Sequence, residues 1–113
     1  MDEILAIVQQ IETHYQTLVA SDLDDETAED VDEIRIGLES IRSQLDAIQG
    51  LPVEQYPKSI VHDLRSPVGA ISGFTEIMLD TDPLTDEQQA IVEQIHHLAV
   101  TLRDMITAYF RRG

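Results

Sequence analysis

His62, Asp63, Arg65, Ser66 and Pro67 fall within six consecutive residues of the stretch VHDLRSPVGA, residues 61–70. The histidine offers a nucleophilic ring nitrogen, and its neighbours offer a carboxylate, a guanidinium and a hydroxyl. The proline is the anomaly. The surrounding pattern is helical, and a proline in a helix interior costs about 3 kcal/mol, because it has no N–H and crowds the preceding turn. A helix carrying that fault one turn after a histidine calls for a reason beyond packing.

The composition narrows what such a site would serve. The chain has 113 residues, enough for one domain with its own core. It has no cysteine, which excludes disulfides, thiolate catalysis and thiolate metal sites. Twenty-two acids stand against seven bases, for a net charge of −15. Nucleic acid and anionic membranes are poor partners for that surface, whereas basic partners would be steered towards it. The same excess, with Lys58 the single lysine, also suits a chain adapted to a salty cytoplasm. The N-terminus MDEILAIVQQ has no basic n-region or cleavage pattern, and no apolar run approaches the ~20 residues of a membrane helix. A cytoplasmic location is the expectation.

Three breaks divide the chain. In QGLP (49–52) Gly50 can end a helix and Pro52 cannot continue one. In DTDPLTDEQ (80–88) Pro83 interrupts, and Thr85 with Gln88 makes a capping box. The stretch ASDLDDETAED (20–30) is rich in N-cap candidates. Each resulting segment carries apolar residues that step by threes and fours. They are Ile4, Val8, Ile11, Tyr15 and Leu18, then Val31, Ile34, Leu38, Ile41, Leu45 and Ile48. The third set is Ile60, Leu64, Pro67, Ile71, Phe74 and Met78, and the fourth Ile91, Ile95, Leu98, Leu102, Met105 and Tyr109. No stretch alternates with period two. The predicted fold is all-α, an antiparallel four-helix bundle built from two helical hairpins, residues 1–50 and 51–113, in one compact domain. A shift of 61 places Val31, Ile34, Ile41, Arg42 and Leu45 on Val92, Ile95, Leu102, Arg103 and Ile106. This is a weak internal repeat, of a kind that shared heptad spacing also produces.

On a helix, His62 points away from the seam of Ile60, Leu64 and Pro67 and faces solvent. Above it on the outer face come Arg65, Ser66, Gly69, Ser72, Gly73 and Glu76. Two mid-helix glycines cost about 1 kcal/mol each, and leave either a shallow surface for an approaching backbone or room for close helix packing. The run HDLRSPVGAISGFTEIML (62–79) resembles the H-box of the histidine kinase dimerisation and phosphoacceptor domain. That family's pattern is histidine, acid, hydrophobe, arginine, a small hydroxyl residue or asparagine, then proline. His62, Asp63, Leu64, Arg65, Ser66 and Pro67 match it in order, and the resemblance extends over roughly residues 54–111.

The resemblance implies roles. His62 would accept a phosphoryl group on a ring nitrogen, and Asp63 would hold or take the proton of the other nitrogen. Ser66, at i+4, stands where the family often has threonine or asparagine to orient water for dephosphorylating a partner aspartate. Pro67 would free the carbonyl of Asp63 and loosen or bend the helix, so that the histidine reaches two partners. Arg65, Gly69, Ser72 and Gly73 would form the partner-docking face. The implied partners are a response-regulator receiver domain and a histidine kinase catalytic domain. The chain itself would hold no cofactor or metal, and magnesium would come with the partner domain. A kinase of this family needs a separate ATP-binding domain, and these 113 residues contain no P-loop and no glycine-rich phosphate cradle. No autonomous ATP-dependent kinase activity is expected. Phosphate arrives from elsewhere, or a kinase core lies downstream.

Blander readings stand beside these. His62 could be an ordinary surface histidine, Pro67 a simple kink, and Asp63 with Arg65 a solvated salt-bridge face. His96 and His97 are adjacent and face different ways, and Glu93 with His97 supplies only two ligands to a metal. His14 lies at the edge of the first stripe, and the terminal FRRG could complement a helix dipole. The alternative function is a non-catalytic helical adaptor or dimerisation module that binds a response regulator or kinase without being phosphorylated. The small monomeric phosphotransfer domain is a related option, but it prefers lysine and glycine after its histidine and lacks the proline. Family hairpins pair with a second copy to form a homodimer. Here the first hairpin offers an internal partner, and the intramolecular bundle is preferred.

Overall fold

The computed structural model describes residues 1–111. Four helices follow one another: α1 (Asp2–Val19), α2 (Asp25–Ile48), α3 (Ile60–Thr81) and α4 (Asp86–Phe110). A short 3-10 turn, Val53–Gln55, lies in the connection before α3. The boundaries have local causes. The Asp24 side chain caps α2 by accepting from the Thr27 N–H at 2.8 Å. Thr85 and Gln88 close the expected capping box on α4, each side chain meeting the other's backbone N–H. Gly50, at φ +83°, turns the chain after α2 in a conformation that a Cβ would strain.

The helices pack in a ring in chain order, α1 on α2, α2 on α3, α3 on α4 and α4 back on α1. The bundle measures 46 × 21 × 20 Å, and no strand occurs among the described residues. One end holds the connection from α2 to α3, where Tyr56 packs against Phe110 with ring centroids 5.7 Å apart. The hairpin loops lie at the other end. There Gln88 donates from Nε2 to Ser21 Oγ (3.1 Å) and to the Asp22 carbonyl (2.7 Å), tying α4 to the loop of the first hairpin.

The seam of α2 is the expected one, with Val31, Ile34, Leu38, Ile41, Leu45 and Ile48 all buried. Elsewhere the seam is displaced. Val68 and Thr75 are buried on α3 where Pro67 and Phe74 were expected, and both of the latter are half-buried. On α4 the line runs through Val92, Ala99 and Ile106, leaving Ile91, Met105 and Tyr109 on its flank. Tyr15 on α1 is likewise half-buried. Each helix touches two neighbours in the ring, so its apolar face is broader than a two-position stripe, and on α3 and α4 it takes in the smaller Val68, Thr75 and Ala99.

The tightest approach is between α2 and α3. A Cβ on Gly37 would stand 2.8 Å from Ile71 Cγ1 and 3.2 Å from the Pro67 carbonyl oxygen. No helix among the described residues is long and apolar enough to cross a membrane. Of the terminal FRRG, Arg111 caps α4, and Arg112 and Gly113 lie outside the described residues.

Candidate functional site

Buried Ile60 and Leu64 fix the inner face of the first turns of α3, and that turns His62 outward into solvent. The helix runs on through Pro67 without a break. Ser59, the residue before the helix, does not cap a backbone N–H. Its hydroxyl donates to Asp63 Oδ2 at 2.6 Å. The Asp63 carboxylate is therefore engaged by Ser59, one turn back along its own helix, while the imidazole of its neighbour points to the groove.

That groove has a volume of about 620 Å³ and lies between the start of α3 and α4. His62, Arg65, Ser66 and Gly69 line it together with Lys58, Ser59, Val61 and Arg103. Three of the chain's seven basic residues meet there. Among the described residues no carboxylate comes within ion-pair distance of Lys58 or Arg65, and Arg103 has only its own neighbour Asp104, at 3.3 Å. In a chain of net charge −15 this is a local reversal of sign beside a nucleophilic ring. The other internal arginines are held by acids: Arg42 by Glu12 across to α1, and Arg35 by Asp32 and Glu39.

Gly69 and Gly73 leave open space, since a Cβ on either would meet nothing within 4 Å. Of the two uses expected of them, close packing within the chain falls instead to Gly37. Ser72 turns its hydroxyl back to the Gly69 carbonyl at 3.0 Å. Its own carbonyl faces His96 Nδ1 at 3.2 Å, and the same nitrogen lies 2.9 Å from Thr75 Oγ1. His96 thus joins α4 to α3, and His97 beside it is exposed. The fold gathers His62, Arg65, Ser66 and Gly69, places Ser72 and Gly73 farther along α3, and commits Asp63 to Ser59.

Reading the sequence missed Arg103 and Gln44. Arg103 reaches the groove from α4. Gln44, on α2, donates from Nε2 to the Asp63 carbonyl at 2.9 Å. Only the offset that aligns Arg103 with Arg42 hinted that the former faces an outer groove. Far from the site, where the hairpin loops meet, the Asp82 carboxyl is pushed up to about 6, by burial first and then by Asp30. Its Oδ2 is buried with no hydrogen-bond donor in reach, which disfavours the ionised form.

The pattern of the His Kinase A (phospho-acceptor) domain matches residues 55–110, about half of the chain. Over 44 residues, 39% of this chain, the sequence is 48% identical to the aerobic respiration control sensor protein ArcB of Escherichia coli strain K12. The same figures hold for ArcB of Shigella flexneri and of Escherichia coli O157:H7. The matched stretch spans 6% of the length of those relatives. No solved structure matches the chain significantly.

Proposed function

Residues 55–110 belong to the His Kinase A (phospho-acceptor) family of two-component signalling, and on that premise we propose that His62 accepts a phosphoryl group and passes it on. The observation that carries this reading is the groove, an exposed imidazole beside Lys58, Arg65 and Arg103. A phosphoryl group on the ring brings up to about two negative charges, and guanidinium and ammonium groups are its usual partners.

In transfer from a receiver domain, a ring nitrogen of His62 attacks the phosphorus of the aspartyl phosphate. The bond from phosphorus to the aspartate oxygen breaks, and its electron pair leaves with the receiver's carboxylate. The proton on the other ring nitrogen stays, so the ring gains positive charge, which the adjacent Asp63 carboxylate offsets. The reverse transfer returns the group to a receiver. A kinase catalytic domain, bringing its own ATP and magnesium, would load the same nitrogen. Ser66 lines the same groove, and its hydroxyl would orient a water for hydrolysis of the partner's aspartyl phosphate. The face above the groove, at Gly69, Ser72 and Gly73, is open enough for a partner's backbone to approach. Both partners are proteins of the cytoplasm, and this chain is assigned there with them.

The test is a labelling assay. An acetyl-phosphate-charged receiver domain and, separately, an active kinase core with ATP are each incubated with the protein. Acid-labile, base-stable phosphate is expected on the wild type and none on His62→Gln, and the donor that works gives the direction of transfer. No label from either donor, with receiver binding retained, would replace this reading with the non-catalytic adaptor.

A further inference from the structure

Pro67 leaves the Asp63 carbonyl without the N–H that a helix would give it. The acceptor is not left to solvent. Gln44 reaches it from α2, which belongs to the other hairpin, with Nε2 at 2.9 Å. The second N–H of the same amide goes to Ser40 Oγ at 3.2 Å, so the donor group is itself held in place from its own helix. The backbones are close for a separate reason, the missing Cβ of Gly37, which lies against Ile71 and the Pro67 carbonyl. In antiparallel register, α2 therefore presents a glycine at the proline and, two turns on, a donor at the carbonyl the proline has orphaned.

We propose that Gln44 is a positioning residue for His62. It supplies, from the first hairpin, the hydrogen bond that Pro67 removes. That bond fixes the direction of the turn that presents the imidazole to the groove. The first hairpin contributes no side chain to the groove, yet it becomes part of the site through this contact. The capping role stands on the geometry alone, whereas its consequence for transfer rests on the phosphoacceptor reading of His62.

A double-mutant cycle on the full chain tests both. Amide hydrogen exchange is measured over residues 60–66 and, as a reference, over residues 95–102 of α4. Gln44→Met keeps the length of the side chain and removes the donor. It should speed exchange over residues 60–66 by about tenfold and leave α4 unchanged, because a local cap is lost and not the core. In the Pro67→Ala background the restored N–H at position 67 takes the Asp63 carbonyl. Adding Gln44→Met there should change exchange by less than about twofold. Gln44→Lys keeps a donor at similar reach and should hold exchange near the wild-type rate, which also covers a Gln44→Met that folds poorly. Labelling of His62 by a charged receiver should slow about fivefold in Gln44→Met and show no further loss from it in the Pro67→Ala background. Equal acceleration of exchange in both backgrounds, or none in either, overturns the cap. Coupled exchange with an unchanged labelling rate overturns the positioning role. If even the wild type takes no label, the phosphoacceptor reading fails, and the exchange cycle still decides the cap.

Discussion

The outer grooves of the two hairpins can be aligned at one offset, 61 residues, and they are finished in opposite ways. The helices α2 and α4 start at Asp25 and Asp86, and the same offset carries Arg42 onto Arg103 and Glu12 onto Gly73. In the first hairpin Glu12 reaches Arg42 at 2.5 Å and neutralises it, while Arg35 is clasped by Asp32 at 2.7 Å and Glu39 at 2.9 Å. Those carboxylates hold both guanidinium groups above their ordinary range. In the second hairpin a glycine stands where that acid would be, and Arg103 faces the His62 groove. A groove between helices becomes a candidate site when its charges are left for a visitor, and it is merely structure when they are satisfied within the chain.

The largest expected effect concerns the two kinds of glycine. Gly37→Ala, against Ile71 and the Pro67 carbonyl, should lower unfolding free energy by about 2 kcal/mol in denaturant titration. Gly73→Ala, facing open space, should instead raise it by up to about 1 kcal/mol through helix propensity. Equal effects from the two would erase the distinction between inner and outer faces.

Charge tests the comparison more directly. Gly73→Glu copies the first hairpin's arrangement into the second. It should slow labelling of His62 about tenfold by neutralising Arg103, and Arg103→Ala should do the same. Arg42→Ala should leave labelling unchanged and lower stability by less than about 1 kcal/mol, as exposed pairs do. A loss of transfer in Arg42→Ala as deep as in Arg103→Ala would mean that both grooves serve the reaction.

The smallest effect lies where the hairpin loops meet, at Asp30 from the first and Asp82 from the second. The Asp82 carboxyl is raised to about 6, so the folded state keeps a proton that the unfolded chain has lost. Stability from this pair is therefore present at low pH and falls as pH rises from the ordinary carboxylate range through about 6. Asp82→Asn should remove that slope from melting curves taken between pH 4 and 7 and stabilise the neutral protein, by no more than about 1 kcal/mol after solvent screening. A variant that melts lower than wild type at pH 7 would show that the two carboxyls do not oppose one another.

Local chemistry was readable from the residues. The turn at Gly50, the Thr85–Gln88 box and the outward direction of His62 depend only on spacing within one element, and they appear as expected. The Ser59–Asp63 bond is also an i, i+4 pair, and its signal was there to be read. The seams of α3 and α4 depart in part from the expected lines because hydrophobicity alone does not decide burial. Thr75 is fully buried through hydroxyl bonds to its own helix, while larger Phe74 and Tyr109 lie on the flank. Gln44, Gly37 and Arg103 were not legible for a different reason. Each acts across a pair of helices, and the register between helices follows from packing, which no spacing along one chain encodes.

The closed ring of helices has a consequence for dosage. A bundle assembled from two chains falls apart on dilution, so its active fraction depends on copy number. Here all four walls come from one polypeptide. The share of chains in which α3 sits on a closed bundle is then a folding equilibrium within one polypeptide, which carries no concentration term.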